Sequence, residues 1–179
     1  MTKSLIKNPR LHHMLGLLGT VGEMPSIEFT NTTLADEILD QVLPHYPDIS
    51  MCGWDTRAGF YRLLPEKSWP EKAKQIMGHF NNQRARFHED FSKGEIQRAI
   101  KWLAKQRKTK QVNRNFGTSY RMKHVAEATE GKYISNGALI LSALALKFQV
   151  KPVDQGSPNC WINVAKPNHK IQQAIRYYI

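Results

Sequence analysis

Residues 132–148, KYISNGALILSALALKF, decide how the rest of the chain is read. From Ile134 to Leu146 there is no charged side chain, although this stretch lies in the most basic half of the sequence. Ser135 or Asn136 can offer a side-chain oxygen to the first unpaired amides of a helix. On a helical wheel Leu141, Leu144 and Phe148 share one side, Ile140 lies beside it, and Ala138, Ser142 and Ala145 line the other. A helix this apolar all round packs into a core. Its small-residue face lets a neighbouring backbone come close. Its interior lacks the Arg, Lys, Asn and Gln side chains that read base edges in the major groove, so it is expected to be scaffold.

Upstream of it, SYRMKHVAEAT (119–129) reads as a helix closed by the turn EGKY. Downstream, FQVKPV (148–153) and CWINVA (160–165) are β-favouring runs separated by DQGSPN, whose Gly, Pro and Asn mark a turn and hence a hairpin. Before these comes SKGEIQRAIKWLAKQ (92–106), with Ser92 and Glu95 at capping-box spacing and Ile96, Ile100 and Leu103 as its buried stripe. PNHKIQQAIRYYI closes the chain as a helix. From residue 92 the order is helix, basic connector, helix, turn, helix, hairpin, helix. That order resembles a winged helix with the hairpin as its wing, a resemblance of element order rather than of a residue signature.

The first half reads as helical. NPRLHHMLGLLG has a cap at Asn8 and Pro9 at the first helical position. TTLADEILDQVL places Leu34, Ile38, Leu39 and Val42 on one face, and DTRAGFYRLL starts from a cap at Asp55. WPEKAKQIMGHF has Pro70 at its start and Ala73, Ile76, Met77 and Phe80 facing inward. The expected fold is therefore mainly α with a small β-hairpin. A helical N-terminal region (1–91) precedes a basic winged-helix-like region (92–179), unless the two form one integrated domain.

A chain of 179 residues with 41% hydrophobic content can bury a sizeable core. Its net charge of +11 is unevenly spread. Residues 1–95 hold 11 Lys/Arg against 12 Asp/Glu, whereas residues 96–179 hold 15 against 3, a net of +12. Such asymmetry points to a polyanionic partner. With two cysteines there is neither a disulfide framework nor a zinc site to build, and a reducing, cytoplasmic location is expected. The apolar run near the N-terminus, MLGLLG, is too short for a signal-peptide core, and no stretch reaches membrane-spanning length.

The sharpest functional signal is the segment from Lys105 to Lys123, which carries seven cations and no acid. Lys105, Arg107, Lys108, Lys110, Arg114, Arg121 and Lys123 are expected to neutralise phosphates, with Asn113, Asn115, Thr118 and Ser119 as hydrogen-bond donors. Arg84, Arg86 and His88 form a weaker cluster, offset by Glu89 and Asp90. Chemistry is not signalled. His12 and His13 are adjacent and diverge on a helix, His124 sits among cations, and no Walker loop, nucleophile elbow or H-E-x-x-H occurs. No enzyme, metal or cofactor is expected. The tryptophans are scattered and read as core or interface, Trp161 in the wing being the one to test. The function expected is a small regulatory or accessory nucleic-acid-binding protein, on duplex DNA rather than RNA, with modest sequence specificity. The alternative is a protein-binding module or inhibitor that uses its basic face to block an acidic partner or a nucleic-acid machine.

Overall fold

The structure is a computed structural model and describes residues 32–55, 57 and 69–166. The expected helices at 8–19, 58–64 and 167–179 lie outside those residues. The described chain is mainly helical with two small antiparallel sheets. Its helices are α1 (Thr32–Gln41), α2 (Trp69–Ala85), α3 (Asp90–Ala104), α4 (Ser119–Glu130) and α5 (Asn136–Ala145). The strands are β1 (Ile49–Ser50) with β2 (Gly53–Trp54), and β3 (Val150–Pro152) with β4 (Cys160–Ile162).

The uncharged helix α5 is the core. Asn136 to Ala143 and Ala145 are all buried, Leu144 half-buried, and α3, α4 and both hairpins pack around it. Ser135 is its cap, accepting from the Ala138 amide at 3.2 Å. The only polar side chain of the helix beyond its first residue, Ser142, is fully buried and donates to the Ile96 carbonyl of α3 at 3.3 Å. Against the opposite end of α5 lies the β1–β2 hairpin, which the sequence pattern did not suggest. Gly137 makes that approach possible, since a Cβ there would stand 1.9 Å from the Ser50 carbonyl oxygen. Its amide donates to the Met51 carbonyl at 3.1 Å.

α1 buries Leu34, Ala35, Ile38 and Leu39 in the same hydrophobic cluster as α3 and α5, so one core runs through both regions. The link after α1 is held by Arg84 of α2. Its guanidinium donates to the carbonyls of Leu43, Tyr46 and Ile49 at 2.6–2.8 Å, and burial lowers its pKa. Arg84 is thus a structural residue. Of the four side chains expected to face inward on α2, Phe80 is buried while Ala73, Ile76 and Met77 are half-exposed.

The capping box foreseen at Ser92 and Glu95 is absent. Helix α3 starts three residues earlier, at Asp90 with Glu89 rather than Ser92 as its cap residue, so Ser92 and Glu95 fall within it. Glu95 is instead 1% exposed and accepts from the Ser135 amide at 2.8 Å, tying the middle of α3 to the start of α5. α4 ends at Gly131, whose φ of +71° suits a residue without Cβ and lets its amide close on the Glu127 carbonyl at 2.8 Å. β3 and β4 form the expected hairpin, with Val150 opposite Ile162 and Pro152 opposite Cys160. No described helix is long and apolar enough to cross a membrane.

Candidate nucleic-acid interface

The basic connector between α3 and α4 has little regular structure, yet it is firmly tied down. Lys108 and Val164 form an antiparallel bridge, placing the connector beside the chain that continues β4. The Thr109 amide donates to the Asn163 carbonyl at 2.7 Å, and the Asn163 side chain returns a bond to the Thr109 carbonyl at 2.7 Å. Asn113 donates through its side chain to the Val164 carbonyl at 2.9 Å, and its Oδ1 accepts from the Asn115 amide. The Ser119 hydroxyl accepts from the Cys160 amide at 3.0 Å. Asn113 and Ser119 therefore position the connector and the start of α4, a role that residue type alone did not separate from phosphate binding.

The seven cations divide into two groups. Lys105, Arg107, Lys108, Lys110, Arg114 and Arg121 are exposed, but the ammonium of Lys108 is held by a backbone carbonyl, and Lys123 is buried. Among the described residues Arg107, Lys110, Arg114 and Arg121 have no carboxylate within ion-pair distance, while Lys105 lies 3.5 Å from Glu130, which Lys101 also approaches at 3.0 Å. The Arg114 guanidinium stands over the half-buried Trp161 ring, 5.8 Å from its centroid, which keeps it on the surface of the hairpin.

Lys108 and Lys123 have their ammonium groups engaged by the protein itself. The Lys108 ammonium donates to the Leu146 carbonyl at 2.8 Å and lies 4.8 Å from the Phe148 ring centroid, so it caps the C-terminal end of α5. Burial, and then the charge of Lys147, lower its pKa. Lys123 is 4% exposed. Its ammonium pairs with Glu127 at 2.8 Å and sits 5.4 Å and 4.7 Å from the ring centroids of Tyr120 and Tyr133. Burial alone would raise the Glu127 carboxyl, but bonds from Lys123, the Ile134 amide and the His124 ring hold it below the usual range. His124 thus faces a carboxylate at 2.7 Å, not only cations as its sequence neighbours suggested.

Beside Lys123 opens a cavity of about 560 Å³. Phe91, Tyr120 and Tyr133 stand on it, as do the carboxamide side chains of Gln83, Asn136 and Asn159. Arg86 and Lys123 bring positive charge to its wall, and Glu95 one carboxylate. Asn136 is 5% exposed; its Nδ2 donates to the Pro158 carbonyl at 2.7 Å and to Asn159 at 3.2 Å, while its Oδ1 is buried without a partner. Burial, then the charges of Glu95 and Glu127, push the Tyr133 phenol up, so it stays a neutral donor. The cavity draws on α2, α3, α4, α5, the β1–β2 turn and the β3–β4 loop, and no local pattern announces it. The remaining tryptophans are structural where described: Trp102 is buried against Phe116, and Trp54 packs edge-on to Tyr46.

No protein-family model matches this chain, and neither the curated proteins nor the solved structures yield a match to it.

Proposed function

We propose that the protein binds nucleic acid, chiefly through phosphates, with the connector and the β3–β4 hairpin as its contact surface. The observation that carries this is the exposed set Arg107, Lys110, Arg114 and Arg121, which no described carboxylate neutralises. Cations left facing solvent on an anchored backbone are suited to displacing the counterions of a polyphosphate. The order of the elements, which resembles that of a winged helix, is compatible with the same reading. Helix α3, the bridged connector at Lys108, the pair α4 and α5, and the hairpin follow in the order of that motif, with residues 153–159 as the wing.

The helix in the position of a recognition helix is α5, which is buried along its length. It has no face to lay in a groove, so sequence discrimination by it is not expected. With about five exposed cations engaged, the log–log salt slope should be roughly −4 to −5. Replacing Arg107, Lys110, Arg114 and Arg121 together by alanine should flatten that slope by about 3–4 and weaken binding on every sequence alike. The melting temperature should stay nearly unchanged, because exposed charges contribute little to folding. A gel-shift or anisotropy series across salt reads both; salt-independent binding, or none at low salt, would refute the proposal.

A further inference from the structure

Among the described residues three large hydrophobic side chains are exposed, Phe91 at 60%, Tyr120 at 53% and Tyr133 at 55%, and all three stand on the same cavity. They come from α3, the start of α4 and the turn before α5, so only folding gathers them. An aromatic left in water at every approach to one concavity has a ring face to offer a ligand. Beside the rings the cavity presents three carboxamides. Asn136 commits its Nδ2 to Pro158 and Asn159 and keeps its Oδ1 as an acceptor, while Gln83 and Asn159, whose oxygens accept from Arg86 and Asn136, can donate through their amino groups. Asn136 is withdrawn from solvent, at 5% exposure, and keeps a buried amide oxygen without a donor. Of the charged groups on its wall, Lys123 is paired with Glu127, Arg86 approaches Glu89 at 3.4 Å, and the Oε2 of Glu95 is occupied by the Ser135 amide.

We propose that this cavity receives an unpaired nucleobase of a bound nucleic acid. Flat rings, amide groups that can donate beside an unpaired amide oxygen, and the exposed cations Arg114 and Arg121 match the three parts of a nucleotide: its π-face, its hydrogen-bonding edge and its phosphate. The volume, about 560 Å³, is in the range that holds a small organic ligand. The site also adjoins the proposed phosphate surface. Tyr120 precedes the exposed Arg121 at the start of α4, directly after the connector, and Asn159 lies two residues before Trp161, which faces Arg114. The inference rests on the nucleic-acid reading and deepens it. A strand lying across Arg114 and Arg121 has one of its bases within reach of the cavity. Single strands, ends or distorted duplexes, whose bases can leave the stack, should be preferred over intact duplex.

The test compares a short fluorescent oligothymidylate with an equally long chain of abasic sugar–phosphate units, which carries the same charge and no bases. The full-length protein should bind the thymidylate more tightly by roughly 5- to 100-fold, the range of one aromatic–base stack. Tyr120→Leu and Tyr133→Leu should shrink that ratio towards unity and leave abasic binding and the salt slope alone. Tyr120→Phe and Tyr133→Phe should keep it, because the ring face persists. Equal affinity for the two chains, or leucine variants that keep the full ratio, would overturn the cavity assignment while leaving phosphate binding standing. Absence of binding to either chain at low salt would overturn both. A protein partner retained after nuclease digestion and lost with the leucine variants would assign the cavity to a peptide and overturn the inference as well.

Discussion

Gly137→Ala is the substitution whose outcome the structure fixes most sharply. Position 137 is helical and buried at the second residue of α5. A methyl there would lie 1.9 Å from the Ser50 oxygen, 2.8 Å from its carbonyl carbon and 2.9 Å from the Met51 Cα, all of them backbone atoms that no rotamer change can move aside. The β1–β2 hairpin must retreat by more than 1 Å to restore van der Waals contact, which strains the 3.1 Å bond from the Gly137 amide to the Met51 carbonyl. Overpacking of this kind costs about 1–3 kcal/mol, at the upper end when backbone must shift, and the weakened hydrogen bond adds about 1 kcal/mol. Alanine's better helix propensity returns up to about 1 kcal/mol. The net loss is then about 2–3 kcal/mol, or a fall in Tm of roughly 4–12 °C for a domain of this size. Gly78→Ala in α2 is the control, since a Cβ there meets nothing within 4 Å and the site is exposed. It should gain about 0.5–1 kcal/mol. Urea and thermal denaturation of the two variants should move in opposite directions; a Gly137→Ala protein as stable as Gly78→Ala would refute the close docking of hairpin on helix.

Other expectations concern the core, the acid limb and the thiols. Leu141→Ala should cost about 2–5 kcal/mol by opening a cavity in fully buried α5, whereas Ser142→Ala, which strands only the Ile96 carbonyl, should cost about 1 kcal/mol; chemical denaturation separates them. The Glu127 carboxyl is depressed in the fold, so its stabilisation is present above the ordinary carboxylate range and disappears as pH falls through its lower folded value. Glu127→Gln should therefore lose about 2–3 kcal/mol at pH 7, less than a wholly buried pair, and show a shallower decline in stability below about pH 4.5 when Tm is followed against pH. Burial pushes the Cys160 thiol up to about 12, while Cys52 is exposed, so iodoacetamide at pH 8 should modify Cys52 and leave Cys160 intact until the protein unfolds, as peptide mass mapping will show.

Much of the scaffold was legible because it is encoded locally. The spacing of Leu34, Ile38 and Leu39, the Ser135 cap, the Gly131 stop and the turn residues between Val153 and Cys160 each act over a few positions, and each element formed where its pattern lay. The unbroken apolar run from Ile134 to Leu146 was enough to place α5 at the centre, since a helix without a polar face can be covered only by the rest of the chain. Its small residues also foretold a close backbone neighbour, although not which one. Charge asymmetry was equally open to reading, because it is composition.

The fate of individual side chains was decided elsewhere. Lys108 and Lys123 look like Arg107 and Arg121 in a linear sequence, but a carbonyl at the end of α5 holds the ammonium of the first and a carboxylate one helical turn away holds that of the second, which is buried. Glu95 and Ser92 had the spacing of a capping box, yet the earlier start of α3 left Glu95 facing an amide 40 residues on. Hydrogen-bonding partners so distant have no sequence period, and Phe91, Tyr120 and Tyr133 meet at one cavity only because α3 and α4 both pack on α5. Local spacing determined the helices, the second hairpin and the buried character of the central segment. Tertiary packing alone chose which cations remain in water, where the first hairpin docks, and which aromatic rings and amides share a concavity, because each choice depends on contacts between residues far apart in the sequence.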